Sequence, residues 1–353
     1  MLKKVKGKVV VGLSGGIDSS MAALLLKNQG YEVIGLHFSF EEDKYPQRIL
    51  NIAQRLDIPV VVQNISNDFN HVKKHFAAEY LKGRTPSPCT FCNKIVKWKK
   101  LNDFANANNC DFISSGHYIN KTFYEGHYHL QKGADPVKDQ SYFLWELEAH
   151  IIDRMITPLG NLTKAQVKNF GVENGFADIA KTNESMGICF LQNLDYREFL
   201  KKNLPEETQR IGQGLVRDET NRVIGKHNGY IYYTVGQKRD LFLDTPREAY
   251  VSSINPLKNE LTIGTKESLN QSHIILKEIH LINSKHINTN SKVSANIRGY
   301  GLNPQKPAII KNINDDTVEI ELESPAWAVA PGQPIVFYKD DIVLGGGIAE
   351  KSW

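Results

Sequence analysis

The 353-residue sequence lacks several things, and each absence narrows what the protein can be. No run of about eighteen apolar residues occurs, so no segment reads as a membrane-spanning helix. Four cysteines are too few, in a chain of this length, for a disulfide framework. Neither sign of charge dominates: 43 Lys and Arg against 39 Asp and Glu leave a net charge of +4, too mild to name a partner. No internal repeat or low-complexity segment interrupts the chain. The opening "MLKKVKGKVVVGL" is basic and then apolar, as in a signal peptide. Its apolar part is short, β-branched and runs into "SGGIDSS" instead of a small-residue cleavage site. A cytoplasmic protein that does not enter membranes is expected.

What remains is an ordinary globular composition, 41% apolar and 23% charged, in a chain long enough for two or three domains. From residue 8 strands and helices alternate. "KVVVGL" reads as a strand buried on both faces, and "DSSMAALLLKNQG" as a helix closed by Gly30. "YEVIGLHFSF", "IPVVVQNI" and "CDFISSGHY" supply three more strands, with helices around 46–56 and over "NDFNHVKKHFAAEYLKG". This alternation predicts a mostly parallel sheet covered by helices, with ligands beyond the carboxyl ends of its strands. After about residue 200 come short strands split by Gly, Asn and Asp, including a hairpin over 255–264. The expected fold class is α/β plus β. A parallel-sheet nucleotide-binding domain spans 1–200, a small β-rich central domain 201–267, and a C-terminal β-barrel 268–353.

The stretch "VVVGLSGGIDSS" places Gly12, Leu13, Ser14, Gly15, Gly16, Ile17, Asp18 and Ser19 between the first strand and the first helix. Glycines let successive N–H groups converge on an anion, and the helix start adds the positive end of its dipole. The loop has neither the GK[ST] ending of a mononucleotide P-loop nor the GxGxxG spacing of a dinucleotide fold. Its SGGxDSS pattern resembles the pyrophosphate loop of ATP pyrophosphatases, which cleave ATP between the α and β phosphates. Asp18 has two readings, as a contact to Mg2+ on the phosphates or as a helix cap.

Two of the four cysteines stand in "TPSPCTFCNKIVKWKK", with Lys94, Lys97, Lys99, Lys100 and Trp98 close behind. Thiols in a basic, proline-punctuated loop can bind a metal, form a disulfide or do chemistry. Cys92, between Pro88 and a lysine-rich helix, does not read as core. Cys110, opening an apolar strand, reads as a buried small hydrophobe. Cys189 in "MGICFL" fits a core position as well as a functional one.

Taken together, "GLSGGIDSS", "TPSPCTFCNK", "SGHY", "KDQSYFL", "PLGNLTKAQV", "MGICFL", "IGKHNGYIYYTVGQKRDL" and "PGQPIVFY" resemble the bacterial tRNA-specific 2-thiouridylases practically end to end. The resemblance implies ATP-dependent sulfur insertion at C2 of the wobble uridine (position 34) of tRNA. By position it implies that Gly12–Ser19 hold ATP, with Leu36 and Gly116 beside the adenosine. Cys189 would carry the persulfide and Cys92 would resolve it. Ser87, Pro88 and Cys89 would lie against the target base, while His117, Lys138, Asp139, Gln140, Arg298, Gly299 and Gln333 would contact tRNA. Implied partners are the tRNA and a relay protein that delivers persulfide sulfur, and ATP would be used with Mg2+. A monomer is expected.

Elementary chemistry agrees with that activity. The C2 oxygen of uridine is a poor leaving group, and adenylation makes it a good one. A sulfur anion then displaces AMP, which calls for cations or a helix dipole beside the thiol. The lysines after Cys92, and a helix expected to start at Asn93, suit that need. Cys89 departs from the family pattern, where an aspartate is often found, and puts an acid/base role there in doubt. It also opens an alternative in which Cys89, Cys92 and Cys189 hold a 4Fe-4S cluster. Two further alternatives are an ATP pyrophosphatase synthetase acting on a small molecule, and a non-catalytic RNA-binding protein with a vestigial nucleotide fold.

Overall fold

A computed structural model describes residues 6–40, 46–182, 187–191, 194–245, 248–301, 303–314 and 316–353. It forms two compact units, one of Met1–His71, Cys89–Ser185 and Lys339–Leu344, the other of Val72–Pro88, Met186–Tyr338 and Gly345–Trp353.

The first half of the chain runs β1 (Lys8–Gly12), α1 (Ile17–Asn28), β2 (Glu32–Ser39), α2 (Gln47–Leu56), β3 (Val60–Asn64) and α3 (Ser66–Leu81). It continues through α4 (Pro88–Cys92), α5 (Trp98–Ala107), β4 (Phe112–Ser115), β5 (Ile119–Tyr124), β6 (His127–Lys132), α6 (Ala149–Arg154), β7 (Met155–Ile156), α7 (Lys164–Glu173) and α8 (Ala177–Ala180). The first unit is organised by a parallel sheet in the order β3-β2-β1-β4-β7. Val9, Val10 and Val11 are fully buried, because helices cover both faces of β1. Helix α1 stops where expected: Gly30 takes a left-handed φ of +93° and its N–H returns to Lys27 O at 3.0 Å.

Two features of this unit differ from what the sequence leads one to expect. The helix expected to start at Asn93 begins at Pro88, a residue whose fixed φ suits a first turn. It passes through a π-helical turn over Asn93–Lys97 before α5 resumes. The "KDQSYFL" stretch forms a short 3₁₀ turn, Ser141–Leu144, with Asp139 just before its cap position. Strands β5 and β6 form an antiparallel hairpin that was not anticipated. Its two-residue turn, Glu125-Gly126, has both φ angles positive, at +45° and +89°, the twist that such hairpins favour. Gln131 in β6 pairs with Ile342 from the 339–344 segment of the same unit.

The rest of the chain comprises α9 (Tyr196–Asn203), α10 (Pro205–Ile211), β8 (Gly214–Arg217), β9 (Val223–His227), β10 (Phe242–Leu243), β11 (Tyr250–Asn255) and β12 (Glu260–Gly264). It ends with β13 (Asn270–Leu281), β14 (Lys292–Asn296), β15 (Ala308–Ile313), β16 (Val318–Trp327), β17 (Pro334–Lys339) and β18 (Ile342–Ser352). Two β structures result. One sheet runs β10-β9-β8-β12-β11, and its β11–β12 hairpin is the one expected over 255–264, turning at Asn259 with φ +51°. The other runs β13-β16-β15-β14-β17-β18 and closes into a barrel by pairing β18 back to β13. The α/β plus β class, with a barrel at the end, is therefore what the chain adopts.

An aromatic cluster forms a core of the second unit. Phe76 lies 5.2 Å from Phe190 and 5.7 Å from Phe199, and Tyr80 stacks on Tyr196 at 4.9 Å. Phe76 is fully buried, so its truncation leaves a cavity the neighbours fill only in part. Phe76→Ala is expected to cost about 3–5 kcal/mol of stability, measured by urea unfolding.

Candidate active site

The cradle grows from β1. Leu13 N–H donates to Leu36 O at 2.8 Å, and His37 Nδ1 contacts Leu13 O at 2.7 Å, which holds the chain as it leaves the sheet. Gly15 then takes φ +84°, and a Cβ there would come within 2.8 Å of Ile49 Cδ1, so only glycine makes this turn without strain. Ser14 Oγ and Ser19 Oγ lie 3.1 Å apart, and Ser19 Oγ donates to Gly16 O at 3.1 Å, closing the loop on itself. Gly16 is the N-cap of α1 and no side chain caps the helix. The first N–H groups of α1 lack both an intrahelical acceptor and a side-chain cap, which is the arrangement an anion completes.

Not every loop residue can offer a side chain. Leu13, Ile17 and Leu36 are buried in the core, so any nucleotide contact they make comes from their backbone. Gly116 has a different reason to be glycine. A Cβ there would sit 2.5 Å from Ser19 N and 2.7 Å from Asp18 C, so its absence lets the end of β4 press against the start of α1.

Asp18 does not cap the helix. Both its carboxylate oxygens accept from Lys164 Nζ, at 2.7 Å each, and Oδ1 also accepts from Tyr118 Oη at 2.6 Å. Lys164 is the first residue of α7 and is almost fully buried. A lone carboxylate in the first turn would repel phosphate, and the ammonium beside it cancels that field. Lys164 and Tyr118 are residues the sequence reading passed over, although both lie within motifs it singled out. The signal for Lys164 was Thr163-x-x-Gln166, a capping box that the structure forms and that puts Lys164 at a helix start.

The loop "DPVKDQ" supports the same cluster. Asp135 Oδ2 accepts from Lys164 N at 2.9 Å and its Oδ1 from Val137 N at 3.0 Å. Asp139 accepts from Gly133 N, Ser141 N and Ser141 Oγ, and Gln140 Oε1 accepts from Tyr118 N at 3.2 Å. Asp139 and Gln140 are thus engaged in shaping the loop, and Lys138 brings its positive charge. Burial raises the Asp139 pKa above the usual carboxylate range, against the pull of these hydrogen bonds. His117, half-buried, meets Ser115 Oγ at 2.7 Å through Nδ1 and lies 5.7 Å from the Trp98 ring. Burial, aided by the Lys97 charge, lowers its pKa to about 3, so the ring is neutral at physiological pH.

Cys92 is buried, at 4% exposure, and lies at the end of α4, whose first turn is at Pro88. That corrects two expectations: the thiol is buried, and it stands at the end of a helical turn begun at Pro88 instead of just before a helix start. Cys89, in that first turn, is half-buried. Two of the lysines that follow Cys92 are matched by carboxylates, Lys94 by Glu146 and Lys100 by Asp68 at 2.9 Å. Cys110 is buried as expected, and desolvation raises its pKa.

The remaining candidates belong to the second unit. Cys189 is exposed on a turn closed by Leu191 N–H donating to Ile188 O at 3.0 Å. Its neighbours Ile188, Phe190 and Leu191 pack into the aromatic core, which seats the turn and leaves the thiol outward. Met186 of the "MGICFL" motif lies outside the described residues. Thr85 N–H donates to Pro331 O at 2.7 Å, so the strand-like segment carrying Ser87 and Pro88 runs beside the turn that carries Gln333. Gly332, at φ +92°, allows that approach; a Cβ there would meet Thr85 N at 3.0 Å. Arg298 spends Nη2 on the carbonyls of Trp327 and Ala328, at 2.9 and 3.0 Å, with Gly299 next to it in a bend. No disulfide joins the four cysteines. Among the described residues no group of three or more His, Cys, Asp or Glu side chains is placed to hold a metal ion.

A glycine turn between strand and helix at the carboxyl edge of a parallel sheet, backed by a buried cation, defines a nucleotide-binding α/β domain. Comparison with known proteins is more specific. Residues 7–193 match the tRNA methyl transferase HUP domain, 197–265 the tRNA methyl transferase PRC-barrel domain, and 271–349 the aminomethyltransferase β-barrel domain. The tRNA-specific 2-thiouridylase MnmA 2 of Phocaeicola vulgatus is 39% identical over 97% of each chain. The tRNA-specific 2-thiouridylase MnmA of Natranaerobius thermophilus is 37% identical over 99% of this chain and 98% of its own. The chain belongs to the tRNA-specific 2-thiouridylase family.

Lys164→Ala should lower ATP affinity about 10- to 100-fold by exposing the cradle to the Asp18 charge, and adding Asp18→Asn should recover part of the loss. Calorimetric titration with a non-hydrolysable ATP analogue reads both. His117 makes a separate prediction. Between its folded pKa of about 3 and its unfolded value near 6.5, the unfolded chain binds a proton that the folded chain does not. Its contribution is present above pH 6.5 and is lost as pH falls toward 3. His117→Gln should therefore flatten the loss of stability on acidification across that window, measured by urea midpoints against pH.

Proposed function

We propose that this chain thiolates C2 of the wobble uridine, position 34, of tRNA. The Gly12–Ser19 cradle binds ATP, the C2 oxygen attacks the α-phosphorus, and pyrophosphate leaves. The terminal sulfur of a persulfide on Cys189 attacks the adenylated C2. Cys92 thiolate then attacks the Cys189 sulfur, so the S–S bond breaks toward the new C2–S bond, AMP departs, and a Cys92–Cys189 disulfide remains. A thiol reductant must reduce that disulfide to the two free thiols, and a relay protein carrying a persulfide must recharge Cys189. Magnesium would accompany the ATP phosphates, since Asp18 is engaged by Lys164.

The observation that carries this reading is the Cys189 thiol, held outward on a turn whose flanking residues are buried. A terminal sulfur can be loaded and handed on only from an accessible thiol. The family-model descriptions mention methyl transfer, whereas the full-length relatives named above are thiouridylases. Residues 1–200 would activate the base, with Leu36 and Gly116 at the adenosine and His117 and Lys138–Gln140 against the tRNA. Ser87, Pro88 and Cys89 would meet the target uridine. The small domain over 201–267 and the barrel over 268–353, through Arg298, Gly299 and Gln333, would orient the rest of the tRNA, and the working unit would be a monomer.

The test is nucleoside mass spectrometry of unmodified tRNA treated with the protein, ATP and a persulfide donor. 2-Thiouridine should form, should vanish when ATP is omitted, and should fall at least about 1,000-fold in Cys189→Ser. Either cysteine route needs Cys189, so Cys89→Ser separates them: full activity in that variant leaves the persulfide route standing, whereas lost activity with iron in anaerobic wild-type protein would replace it by a cluster.

A further inference from the structure

The motif "IGKHNGYIYYTVGQKRDL" has no role in the chemistry above, yet it helps enclose a cavity of about 370 Å³ in the second unit. Helix α9 supplies Arg197 and Lys201 to its wall, one turn apart, and Asn228, Tyr232 and Phe242 complete the part that bears on ligand binding. The two cations are not equivalent. Arg197 Nη1 donates to Asp240 Oδ2 at 2.6 Å and so is balanced by its own carboxylate. Lys201 makes no ion pair among the described residues, and its Nζ lies 5.5 Å from the centroid of the Tyr232 ring. At the rim Phe242 is 56% exposed, an unusual position for a ring that packing does not need. Phe242 is the direct cross-strand partner of Lys226, so the two side chains share one face of the sheet. Lys226 is also exposed and also without an ion pair among the described residues.

We propose that this cavity binds one unpaired nucleotide of the tRNA, its base stacked on Phe242 and its flanking phosphates at Lys201 and Lys226. The inference rests on tRNA being the substrate. An exposed ring with one unbalanced ammonium group on the same cavity wall and another on its cross-strand partner matches what single-stranded RNA presents, a π face on every base and a phosphate on either side. The volume suits a nucleotide-sized guest. Asn228, exposed at the same wall, offers both a donor and an acceptor to a base edge.

Binding of unmodified tRNA by the full chain, across a salt series, tests it. Phe242→Ala should raise Kd on the order of tenfold, and Phe242→Trp should restore it. Lys201→Ala and Lys226→Ala should each reduce the slope of log K against log salt by about 0.7. The rate at saturating tRNA should stay at the wild-type value in all of these variants. Wild-type binding with unchanged affinity and salt slope in the variants overturns the nucleotide pocket alone. A slower sulfur delivery from the donor protein with unchanged tRNA binding overturns it in favour of a protein contact. A wild-type chain that fails to bind tRNA overturns the thiolation reading together with the pocket.

Discussion

A carboxylate in the first turn of a phosphate-binding helix is tolerable only if a cation stands against it. Asp18 is such a carboxylate, and Lys164, 146 residues later in the chain, is the cation. Much of the first unit can be traced to that pairing. Lys164 reaches the loop because α7 starts there, and α7 starts there because Thr163 and Gln166 cap each other's backbone. Asp135 holds the Lys164 N–H from another direction, which ties in the loop of Lys138, Asp139 and Gln140. Tyr118 reaches Asp18 because Gly116 has no side chain to keep the end of β4 away from α1. Charge neutrality below the cradle, in other words, is what brings four separate motifs to one place.

The second unit solves a different problem, how to expose a thiol and still fix its position. Short peptides on protein surfaces are mobile unless side chains anchor them. Around Cys189 the anchors are its immediate neighbours, driven into an aromatic core with Phe76 and Phe199. Helix α9 follows within a few residues and carries Arg197 and Lys201 to the cavity wall. Packing that seats the sulfur therefore also sets the geometry of a basic, aromatic surface.

Legibility in the sequence followed the strength of local signals. Strands such as "KVVVGL" were readable because burial on both faces demands an unbroken β-branched run, and α1 because Gly30 marks its end. The β11–β12 hairpin was readable from its Asn-bearing turn. The β5–β6 hairpin was missed, since its strands mix Lys, Asn, His and Tyr without a clean alternation, although Glu125-Gly126 held the turn signal. The start at Pro88 was missed because prolines were weighed as loop markers, and the error made Cys92 look exposed. In the site, the glycines and serines of the cradle were legible, because a phosphate loop is contiguous. Lys164 was not, because its partner lies in another part of the chain and a lysine at a helix start looks like any other.

Residue order alone determined the phosphate loop, the alternation of strand and helix, the change to β structure after residue 200, and the family. All of these depend on interactions between near neighbours or on motifs read in line. Tertiary structure decided which side chains of those motifs are available: that Leu13, Ile17 and Leu36 face the core, that Cys92 is buried while Cys189 is not, and that Asp18 is neutralised by Lys164. Those outcomes turn on desolvation and on charges meeting across long stretches of chain. Neither quantity exists until the chain has folded around them.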